Sequence, residues 1–230
     1  MHSRGMTGFL MLFGALPALA QNEGEALPLI TEVLYSVPKG EKGDASKDGT
    51  RDATGDEFVE IMNPGSRPLS LTGWSIVDRN PPDAGQFLFV FPEFTLPPGG
   101  VVVVFNGLNQ TIAGDVGGSE RGPEGPHAGF DGAFVYSAGN TSARAGLAND
   151  GDWVALRDPQ GEVVSCIAWG ETDEKPPVSA PLLERTPQTS ESSVQRTLAS
   201  PEATFEAHPT GDGLRFSPGR APPGATPPKP

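Results

Sequence analysis

Apolar residues along this chain come in short runs rich in Val, Ile, Phe and Trp, each closed off by Gly, Pro, Asn or Asp, and no stretch keeps a helical period between caps. That pattern predicts strands at Leu29–Tyr35, Glu57–Asn63, Trp74–Asp78, Phe87–Phe91, Val101–Phe105, Trp153–Asp158 and Glu162–Trp169, with an extra one at Ala133–Tyr136. Seven principal strands suit an all-β, immunoglobulin-like two-sheet β-sandwich. Between the last two runs, Asp158, Pro159, Gln160 and Gly161 place proline and glycine where a tight hairpin needs them, so those strands should pair antiparallel. Trp74, Trp153 and Trp169, with Leu69, Leu71, Ile76, Val154, Leu156 and Ile167, are the expected core. Side-chain alternation puts Val163, Ser165, Ile167 and Trp169 on the core face. Val164, Cys166 and Ala168 then fall on the opposite face, where the thiol would be partly exposed.

The frame is interrupted by two long loops, a charged one at 38–56 and a glycine-rich one at 106–152, and loops of that length are commonly functional or disordered. Residues 21–28 form a linker into a domain expected to span 29–219. A proline-rich end at 220–230 reads as a disordered tail. At the other end Arg4, the apolar run Phe9–Leu16 and the small residues Ala18 and Ala20 have the layout of a signal peptide, 1–20, cut after Ala20. Gln21 follows the cut where a lipoprotein would have cysteine, and no later segment is apolar for long enough to span a bilayer. The expected location is therefore secreted, periplasmic or cell-surface.

Composition narrows this further. With 30 Gly, 25 Pro and 20% charged residues in 230, the chain has many turns and a modest core. Its net charge is −13, one unit more negative once Arg4 is removed, so it repels the phosphate backbone and nucleic acid is not an expected partner. Cys166 is the single cysteine, so the fold rests on packing without an internal disulfide.

The segment GDEFVEIMNPGSRPLSLTG, Gly55–Gly73 and running into Trp74, resembles the opening signature of lamin tail domains. So, in order, do FTLPPGGVVVV (Phe94–Val104), NDGDWVALRDPQGEVVSCIAWG (Asn149–Gly170), SVQR (Ser193–Arg196) and SPG (Ser217–Gly219). The resemblance implies the immunoglobulin-type sandwich. It also implies an exported interaction module, since bacterial members occur alone or beside secreted hydrolases and nucleases, and it carries no catalytic residue. The loop at 106–152 is longer than the family pattern.

Candidate chemistry is sparse. His127 and His208 belong to no spaced ligand pair or Ser-His-Asp arrangement and read as exposed loop histidines. Glu57 and Glu60, three apart on one strand, face opposite sides, which argues against an acid and base pair. The one stretch with metal spacing, Asp44–Glu57, offers oxygen donors at Asp44, Ser46, Asp48 and Asp52, the Thr50 carbonyl, and Gly49 where a calcium loop turns sharply. It departs from that pattern at its twelfth position, Gly55, with the acids arriving late as Asp56 and Glu57; lamin-tail relatives carry a similar acidic loop. Calcium, held by Asp44, Ser46, Asp48, Thr50, Asp52 and Asp56, is the candidate cofactor. The function expected is a non-catalytic module presenting loops to a protein or glycan partner. An extracellular hydrolase or its accessory subunit, and a structural envelope-layer protein, are the alternatives.

Overall fold

The computed structural model describes residues 26–208 and 213–225; the expected signal segment 1–20 lies outside them. In chain order the strands are β1 (Leu29–Leu34), β2 (Phe58–Met62), β3 (Leu69–Ser70), β4 (Ser75–Asp78), β5 (Leu88–Val90), β6 (Thr95–Leu96), β7 (Val101–Phe105), β8 (Phe134–Ser137), β9 (Gly151–Arg157), β10 (Val163–Gly170), β11 (Leu183–Arg185), β12 (Val194–Arg196) and β13 (Phe205–Ala207). One sheet has the order β13-β12-β1-β2-β7-β8 and the other β11-β10-β9-β4-β5, with β3 and β6 paired separately. The expected strands are all present, and the architecture is the all-β sandwich that the apolar runs imply.

Alternation fills the space between the sheets. Ile30, Val33, Val59, Ile61, Val102 and Val104 on one side meet Ile76, Phe89, Val154, Leu156, Ile167 and Trp169 on the other, all buried. Tyr35 stacks flat on Trp169 with ring centroids 4.2 Å apart. A bulge in β1 between Ile30 and Glu32 keeps both Ile30 and Val33 facing inward across the extra residue. The β9–β10 hairpin forms as expected, antiparallel, with the Asp158 carboxylate accepting from Gln160 N and Glu162 N and with Gly161 at φ 85°.

Two expectations about β10 change. A bulge between Val163 and Ser165 shifts the alternation, so that Val163 leaves the core face and Val164 packs against the main core. Cys166 does lie on the face away from that core, yet it is fully buried, because Leu183 of β11 and Val178 pack over it beside Trp153 and Ala168. Burial pushes its thiol up to about 12, which makes it inert.

The outer face of the six-stranded sheet is not solvated either. Leu34, Phe58, Met62, Val101, Val103, Phe105 and Val135 form a second apolar cluster closed by Phe130 and Ala133 of the long loop, with Ile112, Val116, Phe216 and Ala221 against it. Much of the 106–152 segment is therefore a lid on the sheet, and β8 within it adds a parallel edge strand to β7. Residues 217–219 are buried, and 220–225, assigned above to the tail, continue over the same face, with Ala199 N donating to the Pro223 carbonyl. Strands β11, β12 and β13 lie beyond the last of the predicted strands.

Candidate functional site

In the loop expected to hold calcium, each carboxylate is engaged by N–H groups of its own or a neighbouring turn. Asp44 accepts from Asp48 N, Gly49 N and the Ser46 hydroxyl, Asp48 from Thr50 N and Thr111 N, and Asp52 from Thr54 N, Gly55 N and the Asn109 amide. Asp56 is buried and accepts from Ser46 N at 2.8 Å and Asp52 N at 2.6 Å. Burial raises its pKa, the hydrogen bonds oppose this, and the nearby Asp44 charge adds to the rise. The structure thus brings Asp44, Ser46 and Asp56 together and leaves Asp48, Thr50 and Asp52 on separate turns. Among the described residues, no group of three or more His, Cys, Asp or Glu is placed to hold a metal. Lys47 links this loop to the long one, donating to Gly129 O at 2.6 Å with its ammonium over the Phe130 ring.

A second group of acids was not anticipated. The β1–β2 and β1–β12 registers set Gln195, Glu32 and Glu60 side by side on the outer face of the six-stranded sheet. Both glutamates are fully buried. Like charges directly opposite in a sheet repel, and burial disfavours the ionised form. Burial, then Glu32, raises Glu60 well above the ordinary range; Glu32 is raised by burial against hydrogen bonds from Ser193 and Ser217. The pair accepts the Ser-Pro-Gly segment: Ser217 N donates to Glu32 and Gly219 N to Glu60, each at 2.8 Å. Ser193 and Thr31 hydroxyls complete the set at 2.6 Å each.

His208 belongs to this network, which corrects its reading as an exposed loop residue: it is 5% exposed, with Nε2 2.9 Å from Ser217 Oγ. The grouping is not a nucleophilic triad. Glu32 takes the serine's hydrogen bond at 3.0 Å, whereas His208 Nδ1, where an orienting acid would sit, has no partner. His127 is half-buried and also structural, paired with Ala113 O at 2.7 Å and accepting from Gly129 N.

A third set closes one end of the main core. Glu57 Oε2 accepts from Leu147 N at 2.9 Å, and Asp152 from Ala148 N and Trp153 N at 2.8 Å each. Glu57 and Glu60 do face opposite sides of β2, the former toward this end and the latter toward the Ser-Pro-Gly segment. Burial, with Asp152 beside it, pushes Asp78 up to about 7; burial first, then Asp152 and Asp78, raise Glu57 well above the usual range. Burial also raises Asp152. Glu57 and Asp152 thus hold the backbone N–H groups of Leu147 and Ala148, while Asp78 accepts from the backbone N–H and the side-chain amide of Asn80.

Adjacent to Asp78, the chain opens into a cleft of about 650 Å³ on the outer face of the five-stranded sheet, lined by Arg79, Ala168, Gly170, Thr172, Lys175 and Arg185, with Glu171 and Asp173 on its wall. Arg79 Nη1 donates to Thr172 Oγ1 at 2.7 Å, while its Nε lies 3.6 Å from Asp152 and has no hydrogen-bond partner. The sequence reading missed this cleft because β11, which forms one side, had no apolar run to announce it. For the buried glutamates a signal did exist: Glu32 and Glu60 are the only charged residues in two mainly apolar strands.

A family model described as Lamin Tail Domain matches residues 27–171. No curated protein matches the sequence. Among solved structures, the chain is similar to the crystal structure of a DUF4876 family protein from Bacteroides thetaiotaomicron, at 14% identity, covering 89% of this chain and 75% of that chain with a TM-score of 0.46.

Proposed function

This chain belongs to the lamin tail domain family, and from that membership we propose an exported, non-catalytic binding module that engages a protein or glycan partner at the cell envelope or outside the cell. Export rests on the basic, apolar and small-residue order of the first twenty residues. Among the described residues no helix is long and apolar enough to cross a membrane. One observation carries the binding reading: the buried acids with catalytic potential are spent on backbone N–H groups and His208 is buried against the Ser217 hydroxyl, whereas the charged cleft over β10 is open. Binding sites on stiff scaffolds take that form.

Screening the purified chain against arrayed proteins and glycans tests this reading, alongside a broad panel of hydrolase substrates. Specific capture without turnover is the expected result; turnover that is lost on Asp78→Asn or Glu57→Gln would establish the hydrolase instead, with the three core-end acids as its centre. Co-sedimentation of most of the protein with washed envelopes in the absence of any soluble partner would establish the structural-layer role.

A calcium ion at the 38–56 loop is proposed on the juxtaposition of Asp44, Ser46 and Asp56, where a cation would relieve the repulsion between two carboxylates. A ligand that binds only the native form raises stability by about 2.7 kcal/mol at a hundredfold excess over its Kd. Melting temperature then rises with calcium and falls with a chelator, and Asp56→Asn blunts the response. An unchanged melting curve removes the proposal.

A further inference from the structure

The cleft over β10 has a chemistry more specific than open and polar. Ala168 pairs with Trp153 on β9 and with Arg185 on β11, and the β4–β9 pairing that sets Asp78 against Val154 carries Arg79 to the far side of Trp153. Arg79 and Arg185 therefore stand at the two ends of a cross-strand row that runs through Trp153 and Ala168, and both line the cleft together with Ala168 and Gly170. The chain leaving β10 supplies Thr172 and Lys175.

Basic side chains are scarce in this protein, 16 Lys and Arg against 29 Asp and Glu, and three of them line this one cleft. Among the described residues the side chains of Lys175 and Arg185 make neither an ion pair nor a hydrogen bond, whereas Arg79 donates to Thr172 and keeps its Nε 3.6 Å from Asp152 without a hydrogen bond there. Three cations facing two acids leave the cleft one unit positive inside a strongly negative molecule. That balance suits a single carboxylate. It does not suit a phosphate dianion, and the field of the whole chain repels a polyanion. Glu171 and Asp173 are acceptor-only groups that match the hydroxyls of a sugar, and guanidinium groups match a carboxylate in a planar, two-point fashion. The volume is in the range of small-ligand sites and exceeds one sugar ring.

We propose that this cleft binds a uronic acid residue of an otherwise neutral extracellular glycan, with Arg79, Lys175 and Arg185 around its carboxylate and Glu171 and Asp173 accepting from its hydroxyls. This rests on the binding-module reading and narrows it to one ligand class.

Calorimetric titration of the full chain with a glucuronate-substituted xylo-oligosaccharide, the unsubstituted xylo-oligosaccharide of the same length, and inorganic phosphate tests it. The acidic oligosaccharide is expected to bind. The neutral one should bind at least about tenfold more weakly, and Arg185→Gln or Lys175→Gln should each weaken the acidic ligand by about tenfold, the loss of a charge-assisted contact. Both substituted residues are exposed, so melting temperature should stay unchanged in the variants. Equal binding of the neutral sugar, or unchanged affinity in both variants, overturns the site while leaving the module reading intact. Phosphate competing as well as the acidic sugar makes the cleft a general anion hole and overturns the uronate assignment. Absence of any glycan binding also overturns it, and the module reading falls separately, on turnover in the hydrolase panel or on co-sedimentation with washed envelopes.

Discussion

At the scale of single residues, the polar side chains inside this protein act as fasteners. Arg196 is the clearest. It is 1% exposed on β12 of the six-stranded sheet, yet its guanidinium reaches Glu184 on β11 of the other sheet at 2.7 and 3.1 Å, donates to the carbonyls of Ile30 and Ala203, and stacks over Phe205. One side chain thus ties both layers together at that edge. Removing it leaves two carbonyls without their donor and a partly exposed Glu184 without its partner, which should cost on the order of 2 kcal/mol. Arg196→Met should lower the denaturant midpoint accordingly with little change in slope. Arg196→Lys should recover only part of the loss, because an ammonium cannot reproduce the two-point contact. A midpoint within error of wild type in Arg196→Met would show that the tie carries no stability.

At the scale of elements, the long loop behaves as a third layer. Phe130 is 1% exposed against Phe105 and under Lys47, and Gly219, at φ 94°, lies so close to the Phe130 carbonyl that a side chain there would collide with it. Phe130→Ala should cost about 3–5 kcal/mol, as for other buried phenylalanines. Limited proteolysis should spare 112–133 under native conditions; early cleavage there would mean that the lid opens independently of the sheets. The seven main strands were legible in the sequence because each is apolar enough to declare a buried strand by composition alone. The β9–β10 hairpin was legible because its turn chemistry is local. Strands β11 to β13 were not, since each is only three residues long and is held by its pairing partner, Cys166, Val33 or Arg196 among them, rather than by its own periodicity. The cleft was hidden for the same reason: Arg79 and Arg185 are far apart in sequence and meet only through the register of β4, β9, β10 and β11. The acidic loop was visible as a charge pattern, but its oxygen atoms answer to backbone N–H groups that no spacing rule shows.

At the scale of the molecule, burying so many carboxyls sets the pH response. Glu32, Asp56, Glu57, Glu60, Asp78 and Asp152 are all raised, with burial the leading cause in each, and Asp78 reaches about 7. Asp52 is opposite in sign: burial works against its charge, but hydrogen bonds from Gly55, Asn109 and Thr54 hold it below its ordinary value. A raised group keeps its proton in the native state after the unfolded chain has lost it. Its contribution is therefore complete below the unfolded pKa and disappears as pH rises through the folded one. Melting temperature should fall as pH rises from the ordinary carboxylate range through about 7, and Asp78→Asn should flatten that decline, its window running from the ordinary 3.8 to about 7. A melting temperature that climbs over the same interval would contradict the buried, proton-holding state. The Ser-Pro-Gly segment held by Glu32 and Glu60 has a consequence for where the protein can be cut. The family match ends at 171, yet β12 pairs with β1, and residues 216–225 cover the outer face that β1 and β2 share. A version ending at 171 would expose a bare β1 edge and two adjacent glutamates under a stripped apolar surface, the arrangement that recruits a neighbouring chain in place of the missing strand. Such a fragment should collect in inclusion bodies or as soluble aggregates, while one ending at 225 stays monodisperse at the same concentration.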